Sequence, residues 1–183
     1  DFKNAKTRGI IAINLDGGDK IVSAILTGGS DDLALASRRG KVLRITETSV
    51  RPMGRSSRGV SGLKLAVGDE LTAAVRVDTN ANMLLLTESG YGKRVDFDQF
   101  SVHSRGTQGQ IGYNVTDKTG EVVGVIAAAD SDEVMCITSQ GKTLKLEASA
   151  ISRQGRTSQG VCILKIDAPD FVIGVDRVEK EEE

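Results

Sequence analysis

The sequence has no tryptophan, two prolines, one histidine, two cysteines and only six phenylalanine and tyrosine residues among 183. Each scarcity removes a class of protein. Few aromatic rings leave little on which the bases of a single-stranded nucleic acid could stack. The one histidine, His103, falls in an inter-strand loop with no neighbouring Cys. It has no metal-ligand spacing, and no pattern ties it to a Ser or Cys nucleophile. Cys136 and Cys162 lie 26 apart without CxxC spacing. They make neither a disulfide framework nor a zinc knuckle and read as buried free thiols of a reducing compartment. No run approaches the roughly 20 apolar residues needed to cross a bilayer. A net charge of −1, from 24 Lys+Arg and 25 Asp+Glu, gives no bulk reason for a polyanionic partner. Apolar residues at 39% and charged residues at 27% exclude a disordered chain. No signal peptide precedes Asp1, and the missing initiator Met suggests a piece of a longer or processed chain.

What is abundant is glycine, 21 residues, and it is periodic. Thr7-Arg8-Gly9 returns as Ser57-Arg58-Gly59, Thr107-Gln108-Gly109 and Ser158-Gln159-Gly160, with Gly spacings of 50, 50 and 51. Arg39-Gly40, Ser89-Gly90 and Gln140-Gly141 repeat in the same register, and a basic residue follows each by four: Arg44, Arg94, Lys145. Arg55, Arg105 and Arg156 form a third series, each four before its Gly. A half unit (1–30) and three fuller units (31–80, 81–130, 131–178) follow from these markers, with an acidic end at 179–183.

Each unit reads as four short strands. In the second, Leu33–Ala36 leads to a turn at Gly40, then Lys41–Ile45, where Leu43 and Ile45 share one face and Val42 and Arg44 the other. Val60–Leu65 and Leu71–Val77 complete it. No stretch shows helical periodicity. About 50 residues and four strands per unit predict an all-β, propeller-like array.

Near-zero net charge hides segregation with the period of the repeat. Residues 38–58 sum to +6, 141–156 to +3 and 91–105 to +1, while 116–133 sum to −4 and 167–183 to −5. Stacked units should gather the basic loops on one rim, an electrostatic footprint for a duplex backbone. No helix is on offer for major-groove reading, so phosphate contact with little base readout is the expectation. The expected contacts are Arg38, Arg39, Lys41, Arg44, Arg51, Arg55 and Arg58, then Lys93, Arg94 and Arg105, then Lys142, Lys145, Arg153 and Arg156.

Gly141-Lys142-Thr143 looks like the end of a P-loop, but the pattern needs Gly where Cys136 stands, and the same slot elsewhere is Gly40-Lys41-Val42, a hairpin turn. Tyr91 is read either as exposed for contact or as covering a strand. Asp96 and Asp98, two apart, are expected on one strand face as solvated groups. No catalytic constellation emerges.

The run Glu47–Val60 resembles the C-terminal domain of bacterial DNA gyrase A, as do Thr87–Arg94 and Ile137–Lys142. The corresponding chain of topoisomerase IV is the nearest relative family. The resemblance implies a β-pinwheel, whose propeller-like blades exchange strands, with a basic perimeter that wraps duplex DNA. It implies partners in the rest of the gyrase A protein and in the gyrase B protein, and a cytoplasmic, nucleoid-associated setting. It implies that ATP and Mg2+ are used elsewhere in the parent enzyme, with no cofactor in this chain. The family's box Gln-Arg-Arg-Gly-Gly-Lys-Gly is absent. His103–Gly109 and Gln154–Gly160 are degenerate copies, and Met53–Gly59 keeps Arg55 and Gly59. The acidic end resembles the start of a tail that competes for the rim in some members. A propeller-type protein-interaction scaffold without DNA binding is the rival reading. It expects a large exposed apolar patch on one blade face.

Overall fold

The computed structural model describes residues 9–178. Among these the regular elements are antiparallel strands and three short 3-10 turns, with no α-helix. The acidic end at 179–183 and the Thr7-Arg8 pair lie outside the described residues. The unit at 31–80 supplies β1 (Asp32–Ser37), β2 (Lys41–Thr46) and β3 (Leu71–Arg76). The next supplies β4 (Asn82–Thr87), β5 (Tyr91–Asp96), β6 (Gln110–Ile111) and β7 (Val122–Ala128). The last supplies β8 (Glu133–Thr138), β9 (Thr143–Glu147), β10 (Val161–Cys162) and β11 (Val172–Val178).

The hairpin turns are chemically forced. Gly40, Gly90 and Gly141 have φ of +78°, +80° and +79°, and each donates its N–H to the residue three before it, at 3.0 Å in all three cases. A side chain at these positions would sit in a strained left-handed conformation. Gly141-Lys142 is therefore the β8–β9 turn and not a phosphate loop.

The strand orders are β3-β1-β2-β6, β10-β5-β4-β7 and β11-β8-β9. The short strand of each unit thus leaves its own sheet and caps the outer edge of the preceding one. β6 pairs with β2 through Lys41↔Ile111 and Val42↔Gln110. β10 pairs with β5 through Gly92↔Val161 and Tyr91↔Cys162. The strand exchange implied by the resemblance is present, and the expectation of a strand at Val60–Leu65 is not met. That segment holds the position of β6 and β10, which pair with the hairpin of the unit before. Residues 9–30 contain no hairpin, so Val60–Leu65 has no ladder to join. β9 likewise carries no exchanged strand, and its sheet stays three-stranded.

All six residues of β4 are buried, because its two alternating faces each meet a core. Met83 and Leu85 face one core with Val42, Phe100 and Tyr113, and Leu84 and Leu86 face another with Val134, Cys136, Ile151 and Val172. Burial pushes the Cys136 thiol up to about 11. Cys162, expected to be buried, is exposed because β10 is an outer strand. The inner strands β3, β7 and β11, with Val22–Ile25, line a channel of about 580 Å³. Asp96 ends β5 while Asp98 lies in the following 3-10 turn Phe97–Gln99, so the two do not share a strand face. Tyr91 is half-buried, with Lys118 Nζ 5.2 Å from its ring centroid.

Candidate nucleic-acid interface

Three loops, 51–59, 101–109 and 152–160, run into the exchanged-strand positions and so lie on the outer side, away from the channel. Each carries one arginine at the same place in its turn, and each guanidinium makes the same contact. Arg55 Nη1 donates to Ile11 O at 3.3 Å, Arg105 Nη1 to Ser61 O at 3.4 Å and Arg156 Nη1 to Ile111 O at 3.2 Å. Ile11, Ser61 and Ile111 are themselves one repeat position. The arginine of each unit therefore grips the exchanged segment of the unit before. Arg105 also donates through Nε to Ser49 O at 3.3 Å. A guanidinium has five N–H donors. These arginines use one or two on neutral carbonyls and keep the rest, with their whole charge, for a ligand. None of the three has a carboxylate partner among the described residues.

The fourteen expected contacts divide by tertiary position. Arg51, Arg55, Arg58, Arg105, Arg153 and Arg156 stand on the rim loops, and Lys41, Lys142 and Lys145 on or beside the outer strands β2 and β9. Arg58 pairs with Asp16 at 3.1 Å, Lys142 with Asp170 at 3.5 Å, Lys145 with Glu133 at 2.7 Å and Arg153 with Asp130 at 2.9 Å. All four cations are more than half exposed; in the Arg58–Asp16 and Arg153–Asp130 pairs the carboxylate is exposed too, and such pairs are weak, so a phosphate can replace the carboxylate, whereas the Asp170 partner of Lys142 is buried. Arg38 stands elsewhere, beside Leu71 and Val122, paired with Glu121 at 2.7 Å and Glu70 at 3.7 Å. Arg39 shares that turn and donates to Val67 O.

Besides Arg38 and Arg39, three more of the expected contacts are off the rim. Lys93 is fully buried and Arg94 is 4% exposed. Lys93 Nζ donates to Gly155 O, Arg156 O and Ser158 O, at 2.8, 2.8 and 3.0 Å, and to Ser158 Oγ at 3.2 Å. Arg94 binds Asp130 and Ile151 O and ties β5 to the next unit. Arg44 is the equivalent tie in the preceding unit, paired with Asp32 at 2.9 Å and donating to Phe97 O at 3.1 Å. These cations join units and do not reach outward. A signal existed for Lys93: its repeat equivalents are Leu43 and Leu144, which are interior positions of their strands.

Some functional groups gave no sequence signal. The loop carbonyls that hold Lys93 are one case. The Tyr113 hydroxyl, which donates to Gln159 O, is another. Backbone atoms carry no identity in a sequence, and the contact spans 46 residues.

Comparison with known proteins bears on the whole chain. The DNA gyrase C-terminal domain, beta-propeller family matches residues 1–27, 31–78, 81–129 and 132–179. The DNA gyrase A protein of Salmonella typhimurium is 40% identical over 97% of this chain, and that of Escherichia coli K12 is 37% identical over 97%. The chain spans about a fifth of the length of these relatives (20% in each case). A solved DNA gyrase A C-terminal domain superposes with a TM-score of 0.86 at 30% identity, covering 93% of this chain and 58% of that one. The C-terminal domain of a DNA topoisomerase IV superposes with a TM-score of 0.90 at 24% identity over 97% of this chain and 56% of that one, a likeness of fold. With strand-exchanged four-stranded sheets, a fifty-residue repeat and a match along nearly its full length, the chain belongs to the DNA gyrase C-terminal domain family.

Proposed function

We propose that the chain is a non-catalytic DNA-binding module of a gyrase A protein, holding duplex DNA along its outer rim by phosphate contact. The observation that carries this is the arginine series 55, 105 and 156. Each member is fixed by a carbonyl of the preceding unit, free of carboxylates among the described residues and placed on successive units of one edge. A row of cations repeated once per unit suits a polyanion of regular spacing. Contacts made in succession around a curved edge bend the duplex. Bending 20–30 base pairs by 40–90° costs on the order of 1–6 kcal/mol, which many phosphate contacts offset. In the parent enzyme such bending would present a crossing segment for strand passage, with ATP, Mg2+ and the gyrase B protein serving steps that this chain does not perform.

The test is a mobility shift over a salt series. The logarithm of affinity should fall with the logarithm of salt at a slope of about −0.9 per neutralised phosphate. The triple change Arg55→Ala, Arg105→Ala, Arg156→Ala should weaken binding to all sequences alike and flatten that slope. A loss confined to certain sequences, or no DNA retained at low salt, would overturn the reading. Adding the chain to relaxed circular DNA before topoisomerase treatment reads out wrapping as a shift in linking number.

A further inference from the structure

We propose that the Gln154–Gly160 loop is a preorganised phosphate-binding site and that Lys93 is the residue that organises it. This deepens the DNA-binding reading and rests on it for the source of the phosphate. The three rim loops are not equivalent. Beneath 154–160, and beneath no other described rim loop, lies a buried ammonium. Where the 103–109 loop meets its neighbour, the corresponding residue is Leu43.

The consequence follows from peptide geometry. Gly155, Arg156 and Ser158 turn their carbonyls inward onto Lys93 Nζ. A trans peptide holds C=O and N–H on opposite sides, so the amides of Arg156, Thr157 and Gln159 point the other way, towards solvent. The Arg156 amide is taken by Gln99 Oε1 at 3.0 Å. Those of Thr157 and Gln159 have no acceptor among the described residues, and both residues are exposed. Outward amides in one short turn make a concave anion seat. The Arg156 guanidinium, with donors to spare, belongs to the same turn, and Arg153 enters the loop.

The buried charge is itself unpaired. Among the described residues no carboxylate reaches Lys93. Its other neighbour is Tyr113, whose ring centroid lies 5.1 Å from Nζ and whose hydroxyl, held protonated by burial, donates to Gln159 O. Tyr91 stands two residues before Lys93 on the same strand, and the backbone carbonyl of Arg156 is one of the Lys93 acceptors. Of the site's cations, Arg153 has a carboxylate partner in Asp130, while Lys93 and Arg156 have none among the described residues, and a phosphodiester supplies one. Burial lowers the Lys93 ammonium to about 8, so the seat should weaken as pH rises through that value.

The experiment is a carbon-detected carbonyl–nitrogen NMR titration of the whole chain with inorganic phosphate at pH 7, which reads the amide nitrogens of Thr157 and Gln159 without relying on their exchanging protons. Expected are shifts at Thr157 and Gln159, lost in Lys93→Leu and Lys93→Met, and lost in the wild type when the titration is repeated at about pH 9.5, above the lowered Lys93 value. Leu is tolerated at this position in two sister strands. Should both variants fail to fold, the wild-type pH series still decides. Phosphate that moves neither amide, or moves them equally in the variants or at both pH values, overturns the proposal. Phosphate shifts without DNA retention would sink the DNA reading and leave this site standing. DNA retention without phosphate shifts would do the reverse.

Discussion

At the scale of single residues, the tertiary structure gives three like-charged side chains three different fates. Arg55 lies on the surface, Arg44 is a half-buried tie and Lys93 is an interior cation. Lys93 makes a signed prediction. Its proton is held less tightly in the folded chain than in the unfolded one, at about 8 against 10.5. Between these values the unfolded state binds more protons, so this group makes stability rise with pH. Denaturant unfolding of wild type and Lys93→Leu at about pH 7 and pH 10 isolates the effect, and the wild type should gain on the variant at the higher pH. Asp170 gives the same sign of pH dependence in a lower window, for a different reason. Burial opposes its charge, but the Ser139 and Thr138 hydroxyls and the Gln140 and Phe171 amides outweigh that and hold it at about 2. Its folded value lies below its unfolded value of 3.8, so its contribution is present above 3.8 and fades as pH falls towards 2. Asp170→Asn should destabilise at about pH 6 and match the wild type near pH 2, as read by thermal melts.

Between elements, the exchanged strands are only two residues long, and their hold depends on close backbone approach. A Cβ on Gly90 would lie 2.0 Å from Leu164 O, and one on Gly160 would lie 2.5 Å from Gly92 O. Gly141 has nearly the same φ as Gly90 but meets nothing within 4 Å, because β9 carries no exchanged strand. Two substitutions therefore separate strain from packing. Gly141→Ala should cost only the left-handed conformation, about 1–2 kcal/mol. Gly90→Ala should cost a further ~1–3 kcal/mol of overpacking. Equal losses in urea unfolding would contradict the seam. The hairpins and their Gly turns were legible in the sequence because a hairpin is a local object, set by alternation and a positive φ. Val60–Leu65 alternates as a strand does but is not one, because a strand exists only with a partner, and its partner position belongs to another unit.

Across the whole molecule, strand exchange makes each sheet depend on the next unit, so the units should not melt one at a time. Far-UV circular dichroism reports all the sheets, and tyrosine fluorescence reports Tyr91 and Tyr113 in the unit at 81–130. Their urea transitions should coincide. Two separated transitions would mean that the seams are weaker than their geometry implies. The same exchange places the rim. Because β6 and β10 cap outer edges, the loops leading into them must run along the outside, and their arginines come with them.

The repeat, the turn glycines, the register of Arg55, Arg105 and Arg156 and the family were all legible as residue identity at fixed spacing. Which cations face outward was settled by the folded arrangement. Arg94 and Lys93 stand in a segment with the same basic markers as its sisters, yet both are interior. Exposure depends on which distant backbone folds over a side chain, and the carbonyls that cover Lys93 come from residues 155–158, about sixty positions further along the chain.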